Sequence, residues 1–216
     1  MSVATARVLG HDRDSYDTVA ADYHRILKDY LHTDPFERGA LDYFASLVPV
    51  GSVGDLGCGT GRVTVYLAGL GLDVFGVDLT PGMVEVARRE YPELRFEVGS
   101  LFGLDLKDGE LAGALAWYSL VHTPREDLPA VFAELFRVLE PGGYLVHGFK
   151  VGGHSRHLSN AYGHDLDLEV FTYDVADVTG LLRDAGFVEV ATLTRAAFPM
   201  EKEAQAAVIV RKPANP

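Results

Sequence analysis

The sequence predicts a doubly wound α/β fold on a seven-stranded, mostly parallel sheet. Three observations predict it. Short apolar runs alternate with helical segments from Ser52 onward, the pattern that parallel strands joined by crossover helices leave in a chain. A glycine-rich turn, VGDLGCGTGR over Val53 to Arg62, stands between the first such strand and its helix. The last two strands, FVEVATLTR and EAQAAVIVRK, leave no room for a helix between them, so they must pair antiparallel.

The elements follow in order. Tyr16 to Leu31 places Tyr16, Val19, Ala20, Tyr23, Leu27 and Tyr30 on one helical face. A second amphipathic helix covers Phe36 to Leu47, with Asp34 as its cap and Pro35 in its first turn. SVGDL is the first strand and VTVYLAGL its helix; LDVFGVDL is the second, stopped by Pro81 and followed by the helix GMVEVARREY. LRFEV is the third strand, and GALAWYSLV the fourth, running into a loop. Asp127 to Leu139 is helical and is closed by the turn Pro141-Gly142-Gly143, after which YLVHGFKV is the fifth strand. Gly152 to Glu169 reads as a polar loop, and Tyr173 to Ala185 as a helix ending at Gly186.

Composition narrows the function. With 48% hydrophobic and 23% charged residues the chain is an ordinary globular sequence, long enough at 216 residues for a sizeable core. Nineteen basic against 31 acidic side chains give a formal charge of −12, which argues against broad contact with nucleic acid phosphates or an anionic membrane surface. Cys58 is the single cysteine, so no intrachain disulfide can form. No run approaches about 18 uninterrupted apolar residues, and the expected location is cytoplasmic.

The glycine turn follows the first strand, and in an open parallel sheet ligands bind beyond the carboxyl ends of the strands where strand order reverses. Gly57, Gly59 and Gly61 let backbone approach a ligand closely. Their G-x-G-x-G spacing differs from the G-x-G-x-x-G of dinucleotide-binding turns. Asp55, two residues before the first glycine, would repel a pyrophosphate but stabilise an ammonium group. Asp78 ends the second strand, 19 residues after Gly59 (78 − 59), where a carboxylate can accept both ribose hydroxyl protons.

An E/D-x-G-x-G-x-G turn with an acidic residue ending the next strand resembles the class I S-adenosylmethionine-dependent methyltransferases. The resemblance runs from about Tyr16 to Lys212 and implies a Rossmann-like core with S-adenosylmethionine as cofactor and S-adenosylhomocysteine as product. VGDLGCGTGR is similar to the family's first motif, which implies that Asp55, Gly57, Cys58, Gly59 and Gly61 surround the cofactor. FGVDLTPGMVEVAR is similar to the second, which implies Asp78 on the ribose with Leu79 and Met83 beside the adenine. YDTVAADY resembles the N-terminal lid helix of many small-molecule members, WYSLVHTP the loop after strand four, and EPGGYL the turn before strand five. Residues 1–48 are therefore expected to form a helical lid, residues 49–212 the cofactor-binding core, and the loop 152–169 a substrate-facing flap.

Two departures matter. Where the family often carries an adenine-binding aspartate after strand three, this chain has Ser100, so adenine contact falls to backbone near Ser100 and Leu101. The family's [D/N/S]-P-P-[Y/F/W] motif for exocyclic amines and glutamine amides is replaced by Tyr118-Ser119-Leu120-Val121-His122. That replacement and the acidic charge both point to a small-molecule acceptor.

Several residues carry two readings. Tyr16 and Tyr23 either close over the cofactor or dock a helix on the core. Trp117, at a strand's carboxyl end, either packs or touches the cofactor along with Tyr118 and Val121. Arg38 either lies solvated or, by the resemblance, pairs with the methionine carboxylate. His154 and His157 have metal-like spacing without a third ligand, so they are read, with His164, as part of the flap and no metal is expected. Glu189, Glu201 and Glu203 read as solvated surface.

The sulfonium already activates the methyl group, so the enzyme's work is to align the acceptor and exclude water; positioning can supply about 7–11 kcal/mol of a barrier. A hydroxyl or ammonium acceptor also needs a base, for which His122 is the first candidate and Tyr118 the second, while His147 reads as core. Two other functions use the same sheet: a nicotinamide-dependent oxidoreductase, disfavoured by Asp55, the glycine spacing and the final hairpin, and a non-catalytic S-adenosylmethionine sensor or partner subunit.

Overall fold

The structure is a computed structural model that describes residues 3–199 and 201–214, with side chains from Arg13 onward. Three helices open the chain: α1 (Val3–Leu27), α2 (Tyr30–Thr33) and α3 (Pro35–Leu47). The break after α1 divides the single helix expected over Tyr16 to Leu31. At α3 the expected cap is in place: Asp34 accepts the amide hydrogens of Phe36 at 2.9 Å and Glu37 at 3.3 Å.

The core then alternates β1 (Ser52–Leu56), α4 (Arg62–Gly69), β2 (Asp73–Asp78), α5 (Pro81–Glu90), β3 (Phe96–Val98), β4 (Leu111–Trp117) and α6 (Leu128–Val138). It continues with β5 (Leu139–Lys150), a hairpin of β6 (Ser155–Ala161) and β7 (His164–Phe171), α7 (Val175–Asp184), β8 (Val188–Arg195) and β9 (Gln205–Arg211). Seven strands form one sheet in the order β3-β2-β1-β4-β5-β9-β8. The pairs among β1 to β5 are parallel, whereas β9 inserts antiparallel to both β5 and β8. This is the expected Rossmann-like sheet with one antiparallel strand late in the chain.

Both faces are covered, as the apolar strands require. Phe132, Leu135 and Val178, from α6 and α7, bury one face together with Leu145 and Phe149 of β5. Leu41, Phe44, Val63 and Leu67, from α3 and α4, bury the other with Val53, Val146 and Ile209. Strand order reverses between β1 and β4, so their carboxyl ends flank an open crevice.

The residues 152–169, expected as a polar loop, instead form most of the antiparallel β6–β7 hairpin. Leu166, Leu168 and Val170 are buried and alternate with Asp165, Asp167 and Glu169, a period-two pattern that their acidic neighbours disguise. The hairpin packs on α1 through Val19, Leu166 and Leu168. Glu201 and Glu203 also depart from expectation. Glu203 is buried and accepts a hydrogen bond from Arg156 Nε at 3.0 Å, fixing β6 to the sheet, and Glu201 pairs with Arg195. The turn expected at Pro141-Gly142-Gly143 lies within β5, whose register with β4 shifts there.

Candidate active site

A cavity of about 160 Å³ opens at the crevice. Its floor is the glycine turn. Gly57 has φ +85°, and a Cβ there would lie 2.1 Å from the Ser119 Cβ, so only glycine admits both the conformation and the approach of the β4 loop. Gly59 and Cys58 line the floor, and the Tyr23 ring lies over Gly59.

Two carboxylates face this space. Asp55 is 1% exposed and accepts the Thr64 hydroxyl hydrogen at 2.7 Å; burial pushes its pKa up to about 6. Asp78 accepts amide hydrogens from Gly59 at 2.7 Å and Thr80 at 2.9 Å, and burial raises its pKa too. Arg62, the first residue of α4, also lines the cavity, but its guanidinium donates to Glu37 at 3.0 Å. The site thus sets two carboxylates against Arg13 and against Arg62, whose charge is shared with Glu37.

Leu79, Met83, Ser100, Leu101 and Phe102 form one end of the cavity. Trp117, Tyr118, Ser119 and Val121 form the wall beyond β4. Tyr118 holds φ +54°, strain that a non-glycine residue keeps only when its surroundings enforce it; burial raises the pKa of its phenol well above the ordinary value. Trp117 Nε1 and Ser119 Oγ are buried in this wall without a hydrogen-bond partner in the protein. Together with the glycine cradle and the two carboxylates, they fit a ligand carrying an ammonium, a carboxylate and ribose hydroxyls.

The roof is aromatic. Tyr16 and Tyr23 of α1 both line the cavity, their rings 6.2 Å apart, and Tyr23 meets Tyr162 of the hairpin at 5.0 Å. His122 is 9% exposed, with Nε2 2.8 Å from the Tyr16 hydroxyl and Nδ1 2.6 Å from the Glu169 carbonyl. A carbonyl only accepts, so Nδ1 carries the hydrogen and donates it, and Nε2 accepts a hydrogen bond from the tyrosine hydroxyl. Desolvation lowers the pKa of this imidazole, which is neutral.

The cavity therefore gathers fifteen of the residues expected around the cofactor or acceptor, and two stand apart from it. Gly61 caps α4 at φ +84° with the Phe96 ring where a Cβ would go, so it is a turn and packing residue. Arg38 points to backbone, donating to the Leu31 and His32 carbonyls at the end of α2, because α3 turns its side chain away from the glycine turn. Arg62, Ser119 and Phe102 were not among the expected site residues. Arg62 was the most legible of them, since it closes the VGDLGCGTGR segment itself. His147 lies in the core, stacked on Phe149, and burial pushes its pKa down to about 4. His154 bonds Thr172, His157 faces Asp167 at 3.4 Å, and His164 reaches Asp22 of α1 at 3.0 Å. Among the described residues no three His, Cys, Asp or Glu side chains stand together as a metal site.

Comparison with known proteins agrees with this geometry. Residues 53–143 match the model of a methyltransferase domain family. The malonyl-[acyl-carrier protein] O-methyltransferase of Serratia marcescens is 29% identical over 205 residues, covering 83% of this chain and 75% of that protein. The demethylmenaquinone methyltransferase of Renibacterium salmoninarum is 32% identical over 61% of this chain and 55% of its own length. In fold, the chain is similar to the 1,6-didemethyltoxoflavin-N1-methyltransferase of Burkholderia thailandensis, solved with 1,6-didemethyltoxoflavin and S-adenosylhomocysteine. That likeness has a TM-score of 0.73 at 22% identity, over 99% of this chain and 92% of the other. Residues 53–143 are thus a methyltransferase domain, and the chain around them is similar to S-adenosylmethionine-dependent methyltransferases.

Proposed function

We propose that the acceptor is a neutral small molecule whose reacting atom carries a hydrogen, and that His122 removes it. One observation carries this reading: a buried, neutral imidazole in the cavity wall whose Nδ1–H is fixed by the Glu169 carbonyl, leaving Nε2 as the basic atom. Bound S-adenosylmethionine supplies an electrophilic methyl group. The chain's own residues do the rest. Asp78 holds the ribose hydroxyls, Asp55 faces the ammonium, and Trp117 Nε1–H, Ser119 and Arg62 face the carboxylate. Leu79, Met83 and the backbone at Ser100 and Leu101 hold the adenine.

Tyr16 and Tyr23 roof the site and exclude water, which strengthens each polar contact beneath them. Helix α1 acts as the lid, with the β6–β7 hairpin as the flap on the acceptor side, whereas α2 and α3, expected with the lid, bury Leu31, Leu41 and Phe44 against the sheet and belong to the core. Neither nucleic acid nor membrane is the target in this reading: the formal charge is −12, and no described helix is long and apolar enough to cross a membrane. The enzyme works in the cytoplasm.

A tritiated-methyl screen of pooled metabolites tests this reading. Label should move to a neutral hydroxyl or amine compound with the wild-type protein and be strongly reduced with His122→Ala. Transfer that proceeds equally well without His122, or that goes only to thiolates or nucleic acid, would overturn it.

A further inference from the structure

We propose that the acceptor is an aromatic hydroxyl compound, and that the Tyr16 phenol holds its place in the resting site. The proposal rests on the assignment of His122 as base. The tyrosine hydroxyl donates to His122 Nε2 at 2.8 Å, the atom that would take the acceptor's proton. The two rings meet edge to face at 5.4 Å and 62°. A phenol therefore already occupies the position of the reacting group, with its oxygen on the base and its ring in the aromatic roof.

Tyr16 belongs to α1, and His122 to the loop after β4. Small movements of the lid can thus withdraw the tyrosine hydroxyl and leave Nε2 to an incoming hydroxyl of the same shape. Val121, Leu120 and Phe102 line the same cavity.

The chemistry of the base selects the same class. A phenol ionises near pH 10, far below an aliphatic alcohol, so proton transfer to Nε2 is less uphill for it than for an alcohol. An ammonium acceptor would sit beside a neutral ring whose pKa burial has already lowered. When an aryl hydroxyl reacts, its proton moves to Nε2 as the oxygen–methyl bond forms. The carbon–sulfur bond breaks with its electron pair left on sulfur, and the imidazolium loses its proton to water when the lid opens.

The test uses the full chain saturated with S-adenosylhomocysteine and four probes: catechol, 4-ethylphenol, benzylamine and benzoate. Calorimetry should show the two phenols binding and the amine and carboxylate binding at least tenfold more weakly. Tyr16→Phe removes the competing hydroxyl but keeps the ring, so it should bind both phenols about two- to tenfold more tightly, the worth of one neutral hydrogen bond. His122→Ala should abolish that gain. Equal or weaker phenol binding by Tyr16→Phe would overturn the proposal, as would preferred binding of benzylamine or benzoate. Should Tyr16→Phe fold poorly, ¹⁵N spectra of wild-type His122 decide: catechol must shift Nε2 and leave Nδ1 protonated, and an unmoved Nε2 sinks the idea. Failure of the His122 assignment is distinguishable, because it would show as undiminished methyl transfer by His122→Ala whatever the probes do.

Discussion

The Asp78 carboxylate accepts the Gly59 amide hydrogen at 2.7 Å, so the acidic end of β2 holds down the middle of the glycine turn. One side chain thus shapes the cradle and, in the proposed function, takes the ribose hydroxyls. Asp78→Ala should weaken S-adenosylhomocysteine binding by about 1.5–3 kcal/mol, the usual worth of hydrogen bonds to a charged group. Calorimetry reads this directly. An unchanged dissociation constant would place the ribose elsewhere.

Cofactor binding should depend on pH through Asp55. Its pKa of about 6 in the empty site means that it must lose a proton before it can face an ammonium group. Affinity should be constant above pH 7 and fall below pH 6, by at most tenfold per unit for a single proton. The sign for stability is the opposite. A carboxyl whose folded pKa is raised costs the empty protein stability above pH 6, and that cost fades as pH falls toward its ordinary 3.8. Asp55→Asn should flatten both profiles, and a variant that keeps the wild-type slopes would assign them to another group.

Gly57→Ala should destabilise the fold by roughly 1–3 kcal/mol. The new Cβ would stand 2.1 Å from the Ser119 Cβ at a φ of +85°. Ser119→Gly in the same chain relieves the clash but not the dihedral, so thermal unfolding should show only partial recovery. Full recovery would mean that the left-handed conformation costs nothing here.

His122→Ala should lower turnover by about 10²–10⁴ while S-adenosylhomocysteine affinity stays nearly constant. In the wild type the rate should fall as pH drops through the imidazole pKa, because the protonated ring cannot accept. Burial puts that midpoint below the ordinary 6.5. A midpoint above 6.5 would contradict the neutral, buried imidazole.

The lid should be the least protected part of the site in the empty protein. Tyr16 and Tyr23 tie α1 to His122 and Tyr162, contacts that ligand should reinforce. Hydrogen exchange across residues 13–27 should slow on adding S-adenosylhomocysteine. Equal exchange in both states would mean that α1 is simply docked on the core.

What the sequence determined by itself was local. The glycine turn, the Asp34 cap and the alternation of strand and helix depend on backbone freedom and on periods of 2 and 3.6, which neighbouring residues specify. Asp55 and Asp78 were readable for the same reason, since each sits at a fixed offset from the turn or the strand end. The hairpin was half legible, its alternation of Leu166, Leu168 and Val170 masked by acidic partners. The charge network and the hydrogen bonds of the His122 imidazole were set only by packing. Nothing near Arg38 in the chain says that α3 aims it at the His32 carbonyl while Arg62 faces the cavity. Tyr16 and His122 meet across 106 residues, because α1 and the β6–β7 hairpin bury each other's apolar faces and carry the phenol and the Glu169 carbonyl to opposite sides of one imidazole. Local rules cannot specify such a meeting, since it depends on which surfaces exclude water together.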